Sequence, residues 1–550
     1  MIFRVLPLVV AGALIIYPPA PADAQGTGFV AASDLIYADI EQLAAFGVLD
    51  SVLLGQRPYS RREIARLAGI ARARMQNGGS QYSDTGYIDA LVQRIDRFND
   101  AADTASHGGP VVSLIDGASL SFTFASADRR RFPASYSRLT EATIDPLASR
   151  RLGKPAVRGQ TAALELSHRV EPTGWLSLQA RERIEYRRPY DTTGSRQDGE
   201  LLLASARARY RNAALTVGRQ QFTWSQTAGD GLFLASNAPA LDQIALSGDH
   251  PFALPGFLRL LGPTQATLIV ADLGPSAVRS HSKLLGYKVS IAPTSDVELG
   301  GTFMNHYGGT GGRSSTFKNH FFDFVPFLDV FRKHNYVDAT KEFDVDSDKL
   351  LGVDGRVRLD ALGGFVLTGE MLIDDFDVHL LRQLLTTYGS SRVGIIFPQI
   401  GSPAVSARLT AKHMGVITYT HFDLTNGITS RGRLLGDELG TDSKSFSGQL
   451  RLAASPNLAL ELEGRSAIYS NEELAGTLGA ASRTPNELRE LLFATLIAQA
   501  DGIALTVRGG AQRIRNADFQ GGRRRDYVAE IALSIGQSAA GRNRMRRTGQ

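Results

Sequence analysis

The chain of 550 residues is 43% hydrophobic, carries 60 Lys and Arg against 55 Asp and Glu, and contains no cysteine. That length suits two or more soluble domains or one large barrel, and the hydrophobic content is too low for a helical membrane protein. Without cysteine there are no disulfides, no thiolate metal sites and no cysteine nucleophile.

At the N-terminus, Arg4 precedes an apolar run from Val5 to Tyr17. Pro18-Pro19 breaks the run, and Ala22-Asp23-Ala24 supplies an A-x-A cleavage site. Residues 1–24 therefore read as a secretory signal peptide, with the mature chain starting near Gln25. The apolar run is shorter than the ~20 residues a spanning helix needs. No later segment reaches that length, so membrane entry would have to be by strands.

Residues 25–108 read as a small helical module. Ile36, Ile40, Leu43, Ala44 and Gly47 form one apolar stripe. Ser60 and Glu63 make a capping box for a second helix that turns Ile64, Leu67 and Ala68 inward. Ile88, Leu91, Val92, Ile95 and Phe98 repeat the stripe in a third. Each stripe has to be buried, against the other helices or against one end of the remaining chain. Arg61, Arg62, Arg66, Arg72 and Arg74 are expected on a solvated face.

From about Val111 the period becomes two. Leu458, Leu460, Leu462 and Ile468 oppose Glu461, Glu463 and Arg465; Leu176, Leu178 and Ile184 oppose Gln179, Arg181, Arg183 and Glu185. Leu202, Ala204, Ala206 and Ala208 oppose Ser205, Arg207, Arg209 and Arg211 in the same way. Long strands with one apolar and one charged face suit lipid outside and water inside, whereas a soluble sandwich has shorter strands with charged faces outward. The pattern predicts about eighteen strands, near 112–126, 159–170, 175–187, 200–211, 214–224, 231–247, 264–272, 283–292, 297–306, 349–360, 364–374, 403–412, 416–425, 445–454, 458–470, 491–500, 503–514 and 526–535. Connections alternate long and short, from 127–158 and 171–174 through 375–402, 413–415 and 426–444. The expected fold is an all-β transmembrane barrel over 109–536, with short turns and the helical module periplasmic and long loops at the cell surface. A basic tail, 537–550, replaces the usual terminal aromatic residue.

Two places fit badly. Arg219 and Gln221 share a face with Leu215 and Val217, and 231–261 is too long and proline-rich for one strand. Both read as backbone bent into the lumen. They lie within Leu215–Pro263, whose GRQ, Trp224, GDGLFL and LPGFLRLLGP text resembles the Wzi-type capsule assembly family of outer-membrane proteins. RPYSRREIARL, LLGVDGRVRL, GIIFPQIG and GRLLGDELGTDS resemble it too, over most of the mature chain. The resemblance implies a surface lectin and assembly factor that holds capsular or extracellular polysaccharide at the outer membrane, with outer-membrane lipid and polysaccharide export machinery as further partners.

Catalytic signatures are wanting. Asp344, Asp346 and Asp348 resemble the start of a calcium loop, but Lys349 stands where glycine is required and Gly355 where a bidentate Glu is. His306, His320 and His334 lack metal-ligand spacing, and no nucleophile elbow, zincin motif or phosphate loop appears. A non-enzyme without cofactor is expected, with no nucleic-acid partner. The positive signal is cationic. Arg181, Arg183, Arg207, Arg209 and Arg211 fall on the water side, Arg219 lies on the next strand, and Arg508 faces inward. The first long loop adds Arg129, Arg130, Arg131, Arg150 and Arg151. Arginine forks match carboxylates, and Trp224, Phe321, Phe322, Phe324 and Tyr336 offer rings for sugar faces. Acidic polysaccharide is the ligand this predicts, at Arg129, Arg130, Arg131, Arg181, Arg183, Arg207, Arg209, Arg219 and Trp224. Against it stands pairing of the lumen arginines with Glu165, Glu182, Glu185 and Glu461 (Glu182 having lipid-side parity). A porin for anionic solutes or sugars is the alternative function, and an outer-membrane enzyme the third.

Overall fold

The computed structural model describes residues 27–536 except 51, 78–85, 106–109, 128–129, 132–142, 145–156, 190–193, 228–229, 238, 278, 313–346, 363, 375–388, 421–426, 471–484, 501 and 520. The expected signal peptide and basic tail lie outside the described residues, as do Arg129, Arg150, Arg151, the aromatic residues 321–336, Asp344 and Asp346.

Eighteen strands form the wall: β1 (Val111–Ala125), β2 (Gly159–Thr173), β3 (Leu176–Pro189), β4 (Arg196–Tyr210), β5 (Ala213–Gln220), β6 (Leu241–Gly248), β7 (Pro263–Asp272), β8 (Lys283–Thr294), β9 (Val297–Tyr307), β10 (Ser347–Leu359), β11 (Phe365–Asp374), β12 (Gly389–Phe397), β13 (Val405–Met414), β14 (Ser443–Ser455), β15 (Leu458–Tyr469), β16 (Glu487–Ala500), β17 (Ile503–Arg515) and β18 (Arg523–Gly536). Each pairs antiparallel with the next, and β18 pairs with β1 from Gly536↔Gly117 to Val528↔Ala125, so the sheet closes without an edge. A nineteenth, two-residue strand, Phe252–Ala253, pairs with the start of β7.

Alternation sorts the side chains as lipid outside requires. On β18, Tyr527, Ile531, Leu533 and Ile535 are 40–52% exposed while Asp526 and Val528 are 5% and 4% exposed. The same outward row continues through Leu120, Phe122, Leu178, Val217, Val353, Val393, Leu409 and Leu492. An apolar girdle around a closed sheet is a membrane-facing surface. No described helix is long and apolar enough to cross a membrane.

The expected count of eighteen is met through two compensating errors. Residues 416–425 are not a wall strand: Val416, Ile417, Thr418, Tyr419 and Thr420 are all at most 3% exposed, so both parities are buried inside the barrel. The wall uses β12 instead, inside the expected long connection 375–402. Gly389, Ser390, Ser391 and Ile396 blur its alternation. The short connection is therefore 398–404, not 413–415, and the long one is 415–442. Residues 231–247 are corrected as well, since only Leu241–Gly248 is strand. Nor does β5 break parity to enter the lumen. Arg219, opposite outward Ala204, stays on the outer face beyond Val217.

Three helices, α1 (Ile36–Ala45), α2 (Arg61–Gln76) and α3 (Gly86–Ala105), pack around Ile40, Leu43, Ile64, Leu67, Ile88, Leu91 and Ile95, each fully buried. Half of the capping box forms: the Glu63 N–H donates to Ser60 Oγ at 3.1 Å, while the Glu63 carboxylate takes Arg66 instead of turning back to the cap. These helices stopper the short-turn end. Arg94 donates to Asp39 at 2.7 Å and to the Pro456 carbonyl at 2.5 Å, Arg408 reaches Glu41 at 2.9 Å, and Thr27 Oγ1 donates to the Gly174 carbonyl at 2.9 Å. The N–H groups of Leu54 and Gly55 both donate to the Glu298 carboxylate at 2.8 Å. The basic face is only partly solvated, because Arg61 is buried on Asp116 of β1 at 2.8 Å.

Candidate functional site

After Gln220 the chain leaves the wall and crosses the lumen before β6 begins at Leu241. Trp224 is fully buried, and its ring lies so close to Gly286 of β8 that a Cβ there would come within 2.8 Å of it. Glycine at that wall position is what admits the indole. The stopper meets this segment from below. Arg57 and Thr223 exchange two backbone hydrogen bonds of 3.0 Å, and Arg57 Nη1 donates to the Ser225 carbonyl at 3.0 Å.

Residues 415–420 and 427–442 lock onto the first segment. Tyr419 Oη donates to the Leu232 carbonyl at 2.5 Å and accepts from the Asp437 N–H at 3.0 Å. Wall charges fasten both pieces. Lys412 bridges Asp230 and Asp437 at 2.6 Å each, Arg392 reaches Asp230 at 3.2 Å, and Glu370 accepts the Leu232 N–H at 3.0 Å. Asp354 takes Gln226 at 2.6 Å and also binds Lys288. Trp224, Leu232, Phe233, Tyr419, Leu434 and Leu435 thereby join Ile269, Leu284, Met304, Leu350 and Leu372 of the wall in one buried apolar cluster. A hydrophobic cluster reaching from the middle of the lumen to the wall occupies the space a water channel would use.

Above this plug, at the long-loop end, is a hairpin with strands Thr429–Ser430 and Arg433–Leu434. Its two turn residues, Arg431 and Gly432, have φ of 51° and 69°, as a type I′ turn demands. Arg433 pairs parallel with Thr143, and Thr143–Ile144 pairs antiparallel with Arg130–Arg131. The basic first loop is thus tied into a four-stranded patch. Asn237 Nδ2 donates to the Leu434 carbonyl at 2.9 Å and the Ala235 N–H to the Leu435 carbonyl at 2.9 Å, so the patch is anchored on the plug.

A family model for the capsule assembly protein Wzi matches residues 129–527. The chain belongs to the Wzi family. Its fold matches the solved Escherichia coli Wzi, described as a carbohydrate-binding β-barrel of the outer membrane involved in group 1 capsule assembly; the TM-score is 0.65 with 16% identity over 92% of this chain and 99% of that one. Two further solved structures are more distant: Acinetobacter baumannii OccAB2, with a TM-score of 0.43, 12% identity and 77% and 98% coverage, and Pseudomonas aeruginosa OprD, with 0.41, 8%, 77% and 97%. No curated protein matches the sequence. Family and fold make this an outer-membrane β-barrel.

Within this Wzi-family barrel the expected ligand-binding arginines go to different places. Arg130 and Arg131 form one strand of the four-stranded patch, and Arg129 lies outside the described residues. Arg181 faces the lumen, where it donates to Ser167 Oγ at 3.0 Å and Ser33 Oγ at 3.4 Å. Arg183 and Arg187 share Glu185, the first at 2.7 Å. Arg207 is buried on Asp249 at 2.9 Å, donates to the Thr27 carbonyl at 2.7 Å and covers the Phe29 ring at 4.4 Å. Arg209 donates to the Arg211 carbonyl at 2.9 Å, and Arg211 itself is a turn residue with φ of 53°. Arg219 forks onto Asp242 at 2.8 Å on the outer face. Arg508 does face inward, over the Phe493 ring at 4.0 Å.

Carboxylate pairing is thus the main fate of the buried lumen arginines Arg183 and Arg207. Of the expected acidic partners, Glu185 serves Arg183, Glu461 serves Arg451 at 2.5 Å, and Glu182 faces outward near His168. Arg431, paired with Glu200 beside the patch, escaped notice in the sequence. Its signal was the Arg431-Gly432 turn between short runs of extended residues. Among the described residues, no group of three or more His, Cys, Asp or Glu is placed to hold a metal ion.

Proposed function

We propose that this Wzi-family barrel retains an acidic capsular or extracellular polysaccharide at the cell surface, without catalysis. The long-loop end faces outward and α1–α3 sit in the periplasm, so 25–108 is the periplasmic module and 109–536 the membrane barrel. The observation that carries this reading is the small sheet at the long-loop end, which joins Arg130–Arg131 to the 429–434 hairpin and its partly exposed turn residue Arg431 above a plugged lumen. Carbohydrate binding by the Escherichia coli Wzi barrel supports it. Arg129, Arg130 and Arg131 are the contacts assigned to the polysaccharide, joined by Arg431, while Arg183 and Arg207 serve the interior. The porin alternative needs a continuous water path, which the Trp224–Tyr419 cluster opposes.

Charge-assisted hydrogen bonds contribute about 1.5–3 kcal/mol each. Replacing Arg129, Arg130 and Arg131 together by alanine should therefore weaken binding of purified protein to acidic polysaccharide by about tenfold or more. Wild-type binding should also weaken as salt rises from ~0.1 to ~0.5 M, where the screening length falls below ~10 Å. Salt-independent binding, equal for neutral and acidic polysaccharide and for the triple variant, would contradict the assignment.

A further inference from the structure

The outer wall of β16–β18 carries a cationic surface that polysaccharide retention at the mouth does not use. Two adjacent cross-strand rows lie there: Glu490↔Arg513↔Arg525 and Leu488↔Arg515↔Arg523. The register runs unbroken through both strand pairs, so these residues share the face of Leu492, Val507, Tyr527 and Ile531, which are 39–64% exposed. That face is the lipid side. Arg524 has the opposite parity and donates to Asp526 at 2.7 Å.

Among the described residues, Glu490 is the one carboxylate paired with the patch, 2.9 Å from Arg515 and 3.7 Å from Arg513, while Arg523 and Arg525 are exposed. Like charges directly opposite one another on antiparallel strands destabilise the pair, yet Arg513 faces Arg525 and Arg515 faces Arg523. An external anion would turn that repulsion into binding. The height on the wall says which anion. The next row toward the membrane centre is Leu492↔Ala511↔Tyr527, and apolar rows continue to Ala500↔Ile503↔Ile535 at the short-turn rim. Tyr527 marks the interfacial end of the apolar band. The arginines therefore stand one row beyond it, at headgroup level on the outer side. Neighbours in such a row are ~5 Å apart and successive same-face residues ~7 Å, so the four guanidinium groups converge on an area the size of one or two phosphates.

We propose that the outer wall of β16–β18 binds a phosphorylated glycolipid of the outer leaflet. Arg513, Arg515, Arg523 and Arg525 take its phosphate groups through paired hydrogen bonds. Leu492, Leu496, Val507 and Ile531 lie under its acyl chains. The inference rests on the outward direction of the long loops and not on polysaccharide retention.

The test uses the full-length barrel purified in detergent. Glycolipid carried through purification is measured by native mass spectrometry, and rebinding is measured with intact and enzymatically dephosphorylated lipopolysaccharide. Wild type should retain the phosphorylated form. Arg513→Gln/Arg523→Gln/Arg525→Gln should lose it at least tenfold while keeping heat-modifiable migration, and E490Q should retain as much as wild type or more. If the triple variant does not fold, R523Q and R525Q singly should each give a several-fold loss. Equal retention by all variants, or equal binding of the dephosphorylated lipid, would overturn the proposal. So would displacement of the glycolipid by lipid-free acidic polysaccharide, which would give the patch to the polysaccharide instead.

Discussion

Arg207 shows how the lumen handles charge. Its side chain is 2% exposed and holds Asp249, the Thr27 carbonyl and the Phe29 ring together, joining β4, the β6–β7 connection and the N-terminal segment. Removing one member of a buried pair leaves the other charge uncompensated, at a cost of about 3–5 kcal/mol. Arg207→Ala should therefore lower the urea midpoint of the barrel and expose residues 27–60 to protease. R207M combined with D249L should recover much of the loss, because apolar replacement of both partners is close to neutral. Period-two parity is enough to place Arg183 and Arg207 inward. It does not find Asp249, which lies past the end of a strand in a rim connection where no periodicity reaches. Nor does it distinguish an outward charge above the apolar band from a lumen charge, and Arg219 was misplaced for that reason.

Glu63 poses a question of sign for α2. Burial holds its carboxyl above the usual glutamate range, although Arg66 forks onto it at 2.7 and 2.6 Å and pulls the other way. Desolvation thus outweighs the ion pair. A folded-state pKa above the unfolded one means that the folded cap keeps a proton the unfolded chain releases. Its stability then falls as pH rises from about 4.3, the ordinary glutamate value, through the raised one. Glu63→Gln should change stability by less than about 1 kcal/mol and flatten that part of the pH slope, as read by protease protection of 27–105 between pH 4 and 8. The helices themselves were legible because each stripe is long and the cap at Ser60 is local. The strands were legible where one face meets lipid. Residues 416–420 misled because a segment with strong β propensity is indistinguishable from a wall strand until both its faces are seen to be buried. β12 went unseen because glycine and serine leave its alternation faint.

At the scale of the whole molecule, the barrel is stoppered by α1–α3, plugged by the described residues of 221–240 and 415–442, and crowned by the patch built from 130–131, 143–144 and 429–434. Closure was readable in part, since irregular backbone at membrane depth is tolerated only within protein or water; that holds for the stretch before Leu241, whereas the proline-rich connection 249–262 lies at the short-turn rim, with Phe257 and Leu260 exposed, and not in the lumen. The association of the first loop with the 429–434 hairpin was not, because contacts between residues almost three hundred positions apart leave no local pattern. Purified protein in planar bilayers should give little or no steady conductance, whereas Lys412→Ala, which removes the bridge between Asp230 and Asp437, should bring intermittent openings; large ohmic steps from wild type would favour the porin. Retention of acidic polysaccharide at the surface is read out by the ratio of cell-attached to released polysaccharide in a strain lacking this protein. Most of the polymer should be shed into the medium, wild type should restore attachment, and the Arg129→Ala/Arg130→Ala/Arg131→Ala variant, though folded in the membrane, should not. A deletion strain whose polysaccharide stays attached and normally assembled would contradict it.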